Sequence, residues 1–271
     1  MYYGHYDILK AYTKSFLPFK INGELQHGWA AKSGITSADL NSQIEKLKLK
    51  RYYVYNTRNR ELAIEKGYNN VVAIGAPFIY INNIEKYYSK QKSKSLIVFP
   101  THTHEFMEKV DVSKCYKNYI NDLMEISDYF KNITVSLFWK EFKNKDIINL
   151  FNESGISVTT MGPRDKNPKF LINFIKEVSK YEYVSSDNFS SAIFYSLFMK
   201  KKVFIYSDAI KDSGIFNFSS YNFCLNYFSK IYPQLMWENF DHVNHIQIAE
   251  QELGHDNKIS PKVMRKVFGW S

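Results

Sequence analysis

From Ser95 onward the chain alternates short apolar runs with helical stretches, and that rhythm leaves few folds open to it. Ser95–Phe99, Ile133–Trp139, Ser157–Met161, Tyr183–Ser185 and Lys202–Tyr206 read as strands. Between them, helices are expected over 118–130, 143–152, 169–180 and 190–199. In the third of these, Phe170, Leu171, Phe174, Ile175 and Val178 recur at helical spacing. Strand and helix in strict alternation, with short connections, imply a parallel sheet covered on both faces.

The first 90 residues repeat this grammar in shorter form. Glu24-Leu25-Gln26 leads into His27-Gly28-Trp29, 38–49 reads as a helix and 52–55 as a strand. A helix follows over 58–66, stopped by Gly67, and Val71–Pro77 closes the half. The polar stretch Ser89–Lys94 is the linker candidate. The expected fold is therefore α/β, with two Rossmann-like domains, parallel sheets and a helical C-terminal tail. The domains are placed at 1–90 and 95–230. The tail, 231–271, carries Trp237 and Trp270 and is expected to pack back on the first half. Two such halves would leave a cleft between the C-terminal ends of their strands, where open α/β sheets bind ligands.

A hydrophobic content of 45% argues against disorder, which needs low hydrophobicity. No apolar run approaches the roughly 20 residues that cross a bilayer, and Met1–His5 lacks the pattern of a secretory signal. Cys115 and Cys224 stand in no metal-ligand spacing, so a reducing cytoplasm is the expected compartment. The net charge of +9 favours acidic partners. The clusters Lys46–Arg51, Lys90–Lys94 and Lys200–Lys202 each read as solvated lysines at element boundaries. Together they could hold the protein peripherally on an anionic inner membrane face. Aromatic residues fall at core spacing rather than as a stacking platform, so nucleic acid is not an expected partner.

Candidate chemistry lies in the turns that follow predicted strands. Ser186, Asn188, Ser190 and Ser191 lead into the helix over 190–199. Hydroxyls beside the free N–H groups of a helix start make a seat for a phosphate, and the same residues make an ordinary N-cap. Thr101, His102 and His104 follow the strand at 95–99, the two histidines on one side as hydrogen-bond donors to phosphate. With Glu105 they supply no convincing third ligand at metal spacing, so neither a metal nor another cofactor is expected. Arg164, in Met161–Asp165, is either a phosphate clamp or a solvated loop residue. His27, beside Gly28, is either a general base or a satisfied turn histidine. Glycine-rich dinucleotide loops, P-loops, nucleophile elbows and Cys-x-x-Cys pairs are absent from the sequence.

Taken together these segments resemble a family. Gln26-His27-Gly28-Trp29-Ala30-Ala31-Lys32 is similar to the His-Gly segment of the CDP-glycerol glycerophosphotransferases and related bacterial surface-polysaccharide glycosyltransferases. Phe99-Pro100-Thr101-His102 resembles the strand-Pro-Thr/Ser segment that opens their second domain. Ser186–Ser191, followed by the apolar helix and Lys202–Ile205, is similar to their Asp-x-Ser-Ser element, with Asp187 shifted by one position. Glu252-Leu253-Gly254, Ser260-Pro261 and Gly269-Trp270 resemble the ending of capsule and lipopolysaccharide enzymes. The resemblance implies a GT-B architecture with an acceptor-side first domain and a second domain holding a nucleotide-activated donor. It implies a metal-independent glycosyltransferase that takes a sugar from a CMP-, CDP-, UDP- or GDP-linked donor to a saccharide or lipid-linked saccharide of capsule, O-antigen or lipooligosaccharide. It also implies that His27 is the catalytic base and that Ser190 and Ser191 contact the donor phosphates, helped by His102 and Arg164. A CDP-polyol phosphotransferase of the same fold, and a non-catalytic basic scaffold at the membrane, are the alternatives.

Overall fold

Among the described residues, eight short strands form two separate sheets, each parallel throughout. The computed structural model describes residues 2–15, 20–32, 34–35, 50–101, 112–165, 167–206 and 219–270. The strands are β1 Glu24–Leu25, β2 Tyr52–Val54, β3 Val71–Ala73, β4 Ser95–Phe99, β5 Asn132–Ser136, β6 Ser157–Thr159, β7 Tyr183–Ser186 and β8 Lys202–Ile205. The helices are α1 His5–Thr13, α2 Thr57–Glu65, α3 Val112–Glu125, α4 Lys145–Glu153, α5 Phe170–Val178, α6 Ser191–Phe198, α7 Ser219–Ile231, α8 Ile246–Glu252 and α9 Pro261–Phe268. Among the described residues no helix is long and apolar enough to cross a membrane.

The chain divides into two compact units. The first comprises Met1–Ile84, Asp165–Leu171 and Ile246–Ser271, and the second Glu85–Arg164 and Ile172–His245. In the first, the strand order is β1-β2-β3, with Leu25 opposite Tyr53 and Tyr53 opposite Val72. All of β2 is buried, as a central parallel strand covered on both faces must be. Tyr52 and Val54 pack against Ala63 of α2, Tyr68 and Val71. Asn56 starts α2 by accepting a hydrogen bond from the Asn59 N–H at 2.9 Å. The C-terminal ending is held residue by residue. Ser260 caps α9, and Gly269 ends it in the left-handed region at φ +72°. The Trp270 indole donates to the Lys20 carbonyl at 3.1 Å.

In the second unit the order is β6-β5-β4-β7-β8, with Val98 opposite both Val135 and Ser185. One face of this sheet presents Leu96, Val98, Val135 and Phe204 to Tyr116, Tyr119, Ile120 and Leu123 of α3 and to Phe151 of α4. That stripe explains why α3 already runs at Val112, where the described residues resume, ahead of the expected 118: its buried residues begin at Cys115 and recur at helical spacing. The helix also stops early, at Glu125, and Ser127–Tyr129 forms one 3-10 turn. Phe130 then packs against Tyr183 and Phe204 instead of extending the helix. β5 ends at Ser136, three residues before the expected end, so Phe138 and Trp139 lie in the following loop.

The helix expected over 38–49 lies outside the described residues. α1 has no counterpart in the sequence reading. The segment 89–94 is pinned within its unit: the N–H groups of Ser89, Lys92 and Lys94 donate to Ser179 Oγ, the Lys180 carbonyl and Glu182 Oε2, each at 2.8 Å. The Lys200–Lys202 cluster needs correction, because Lys201 is not a solvated lysine. It is buried, and its ammonium donates to Gln91 Oε1 at 2.8 Å and to the Ser179 and Tyr181 carbonyls at 3.0 and 2.7 Å. Those carbonyls, just beyond the end of α5, need donors that the helix does not supply. Lys202 pairs with Glu182 at 2.8 Å.

Candidate active site

The order of the second sheet singles out one place along its edge. From β4 the chain steps outward to β5 and β6, then crosses back to add β7 and β8 on the other side of β4. The carboxyl ends of β4 and β7 flank this reversal. Parallel α/β sheets bind ligands in such crevices. Thr101 follows β4, and the turn from Ser186 to Ser190 joins β7 to α6.

A buried carboxylate closes this point. Asp187 accepts the Thr101 N–H on both oxygens, at 2.9 and 3.0 Å, and the Thr101 hydroxyl at 3.0 Å. The Ser186 hydroxyl donates to the Phe99 carbonyl at 2.6 Å and lies 3.2 Å from Asp187 Oδ1. Asn188 Oδ1 accepts from the Phe189 N–H at 2.8 Å. Thr101, Ser186 and Asn188 are thus brought together, and these bonds run inward to Asp187, Phe99 and Phe189. Burial pushes the Asp187 carboxyl up to about 6, against the lowering effect of its hydrogen bonds to Thr101 and Ser186. Two further buried hydroxyls, Ser185 Oγ and Tyr119 Oη, have no hydrogen-bond partner among the described residues. Burial, then the charges of Asp187 and Asp122, raise the Tyr119 phenol well above its ordinary value.

Ser190 and Ser191 behave differently. Ser190 holds the N-cap position of α6 in extended backbone, yet its side chain makes no capping bond, and both residues are half-buried rather than sealed in. The ordinary-cap reading of this motif is therefore not realised. The first amides of α6 receive no side-chain oxygen from the cap residue, and such amides are where an anion is held. Arg164, beyond the end of β6, holds its guanidinium 5.3 Å from the centre of the ring of Phe138, in the loop after β5. His102 and His104 lie outside the described residues.

In the first unit, His27 follows β1 in a loop without regular structure, tied down by side chains. Gln26, buried, accepts the Tyr55 N–H at 2.8 Å and donates to the Gly28 carbonyl at 2.8 Å. The Trp29 indole donates to Glu252 Oε2 at 2.7 Å. The Asn59 amide donates to the Ala30 carbonyl at 3.0 Å and also to that of Lys32. His27 itself is half-buried, with its ring edge-on to Tyr3 at 5.1 Å between centroids. The Tyr3 ring also lies 5.5 Å from that of His5, which is buried and has no partner for Nε2 among the described residues. Burial, with smaller help from His27 and the N-terminal amine, lowers His5 to about 3, so it is neutral at any ordinary pH.

The sequence reading missed the polar scaffold of this loop: Gln26, Asn56, Arg58, Asn59 and Glu252. A usable signal was present in Glu252-Leu253-Gly254, which the resemblance singled out without giving it a role. His5 gave none, since a histidine on an apolar face does not announce what buries it.

No family model and no curated protein matches the chain. Among solved structures, the wall teichoic acid polymerase TagF is 14% identical with a TM-score of 0.42, over 94% of this chain and 62% of that one. A putative UDP-N-acetylglucosamine 2-epimerase from Listeria monocytogenes is 12% identical with a TM-score of 0.41, over 82% of this chain and 60% of that one. The chain thus spans less than two thirds of the length of either. Strand order and register define the class of protein on their own: a two-unit α/β chain with Rossmann-like parallel sheets.

Proposed function

We propose that this chain is a glycosyltransferase of GT-B type, moving a sugar from a nucleotide-activated donor to a saccharide or lipid-linked saccharide of the bacterial surface. The observation that carries the reading is the turn at the β4/β7 reversal, where α6 begins on two serines and the Ser190 side chain makes no capping bond. A donor pyrophosphate seated there would meet N–H groups and the positive end of a helix dipole. As the glycosidic bond breaks, charge accumulates on the departing phosphate, and preorganised donors stabilise it without reorganising. Asp187 fits this role only indirectly. Directed at Thr101, it fixes the ends of β4 and β7 against each other.

His27 is assigned as the base that takes the proton from the acceptor hydroxyl. A neutral imidazole can do this near pH 7, and the step contributes typically 10²–10⁴-fold. No metal or other cofactor takes part in this reading, and the cytoplasmic face of the membrane is its natural place.

Thermal-shift titration with CMP, CDP, UDP, GDP and their sugars is the first test. A nucleotide that binds the native state at a hundred times its Kd raises stability by about 2.7 kcal/mol. One nucleotide should raise the melting temperature and the others should not. Replacing His27 by Ala should keep that shift and reduce transfer at least a hundredfold. Transfer at the wild-type rate in the variant would remove His27 from the mechanism. A shift seen equally with every polyanion, and abolished by salt, would replace the enzyme with a basic scaffold.

A further inference from the structure

We propose that Glu252 is a positioning residue, which holds the His27 loop through Trp29 and Arg58; this rests on the assignment of His27 as the base. Glu252 is 0% exposed, and its carboxylate accepts hydrogen bonds from Arg58 and Trp29. They come from Arg58 Nη1 to Oε1 at 2.7 Å, Arg58 Nη2 to Oε2 at 2.6 Å, and Trp29 Nε1 to Oε2 at 2.7 Å. The arginine contact is bidentate, the geometry that best fixes the plane of a carboxylate.

Stability alone gives little reason for this arrangement. Glu252 is the last residue of α8, the negative end of a helix, where a carboxylate is disfavoured. A buried ion pair is on average no more stable than apolar residues of the same volume. What the pair supplies is direction. The main chain around Glu252 is itself locked to the ends of the strands. The Glu252 carbonyl accepts from Asn56 Nδ2 at 2.9 Å, and the Leu253 carbonyl from the Ala76 N–H at 2.8 Å. Gly254, at φ +69°, lies so close to the Tyr55 carbonyl that a Cβ would collide with it. The carboxylate is thereby fixed relative to the C-terminal ends of β2 and β3. It passes that position to Trp29, two residues beyond His27, while Gln26, the residue before His27, is bonded to the Tyr55 N–H and the Gly28 carbonyl. His27 is held from both sides by neighbours whose own rotamers are locked, as a group required at one place must be.

The test uses the full chain with two variants, Glu252→Gln and Trp29→Phe. Trp29→Phe removes the indole N–H, with part of the ring, and keeps both partners of the Arg58–Glu252 pair, so it serves if Glu252→Gln fails to fold. The first readout is the pH titration of the His27 ring by NMR, assigned by its loss in His27→Ala, which needs no substrate. The His27 midpoint should move by about half a pH unit or its line should broaden, while the melting temperature of Trp29→Phe stays near the wild-type value. The second readout is transfer from whichever nucleotide sugar gives the thermal shift. Here kcat should fall about 10–100-fold with KM for the donor within about twofold, the mark of a misplaced group rather than a lost binding contact. An unmoved His27 titration in a folded variant overturns the inference. If His27→Ala still transfers sugar, the base assignment falls, and the titration still decides whether Glu252 orders the loop.

Discussion

Asp187 offers the sharpest test of the second unit, because its geometry fixes both the sign and the size of a pH effect. The carboxyl is buried and stands at about 6 in the native state, against 3.8 for an unperturbed Asp. Between these values the native state binds more protons than the unfolded chain. Stability therefore falls as pH rises from about 4 to about 6, the reverse of the usual carboxylate. Well above both values the cost reaches about 3 kcal/mol, of which over 2 kcal/mol should develop between roughly pH 4 and 7.5. Asp187→Asn keeps an acceptor for the Thr101 N–H and cannot ionise. Its loss or gain of hydrogen bonds adds an offset that does not depend on pH. The difference in unfolding free energy between wild type and Asp187→Asn should thus shift in the variant's favour by about 2–3 kcal/mol from pH 4 to 7.5. Urea unfolding at the two pH values, followed by circular dichroism, measures it, and for a chain of this size the same change moves the melting temperature by roughly 5–10 °C. A difference that stays constant across the range would show that Asp187 does not titrate as its burial requires.

Three other outcomes follow from the same geometry. His5, lowered to about 3 by burial, is neutral when native; between about 3 and 6.5 the unfolded chain binds the extra proton, so stability is full above 6.5 and is lost as pH falls. His5→Phe should flatten this acid limb, worth about 5 kcal/mol in full, as read from urea midpoints at pH 4.5 and 7. Lys201→Met leaves the Ser179 and Tyr181 carbonyls without their donor and should cost about 2–4 kcal/mol at pH 7. Because burial lowers Lys201 to about 8, the wild type should gain stability from about pH 8 to 10.5 and the variant should not. Gly254→Ala forces a left-handed backbone, costing about 1–2 kcal/mol, and drives a Cβ into the Tyr55 carbonyl. Its melting temperature should fall by more than that of Gly155→Ala, which at φ +74° is also left-handed but has open space around it.

The strands and helices of the second unit are legible in the sequence because each is an apolar run or stripe of the correct period. Phe174, Ile175 and Val178 of α5 are buried as their spacing requires. Boundaries are less legible, since they depend on partners. Phe130 leaves its helix for Phe204, and Phe138 leaves its strand for a loop where Arg164 covers its ring. The Ser190-Ser191 start of α6 is visible from residue type alone, whereas the role of Asp187 is not. Its partner, Thr101, is 86 residues away in sequence and adjacent only because β4 and β7 pair. Glu252 and Arg58, separated by 194 residues, are hidden for the same reason. Local pattern reports which face a side chain takes, and pairing of distant strands reports what it meets there.

The distribution of buried polar groups gives the strand ends their meaning. In the first unit Gln26, Asn56, Asn59 and Glu252 cluster beyond the carboxyl ends of β1 and β2, and in the second Ser185, Ser186, Asp187 and Asn188 end β7 or follow it. Each such group costs stability unless it finds a partner, so their concentration at one end of each sheet calls for a reason that packing does not provide. The opposite end of the first sheet makes the contrast. A cavity of about 440 Å³ opens there, lined by Asn22, Glu24, Lys50, Arg51 and Asn70 among others. Its charges are already matched: Lys50 lies 3.4 Å from Glu24, and Arg51 donates to Asn70 and to the Val267 carbonyl. Those groups are open to solvent and satisfied by one another, so the cavity has volume without unmet chemistry. At the carboxyl end of the second sheet Ser190 makes no side-chain capping bond to α6, and at that of the first His27 stands in a loop tied down by Gln26, Trp29 and Asn59. For the function proposed above, the carboxyl ends of the strands, and not this solvent-lined opening, are therefore the places to look for a substrate.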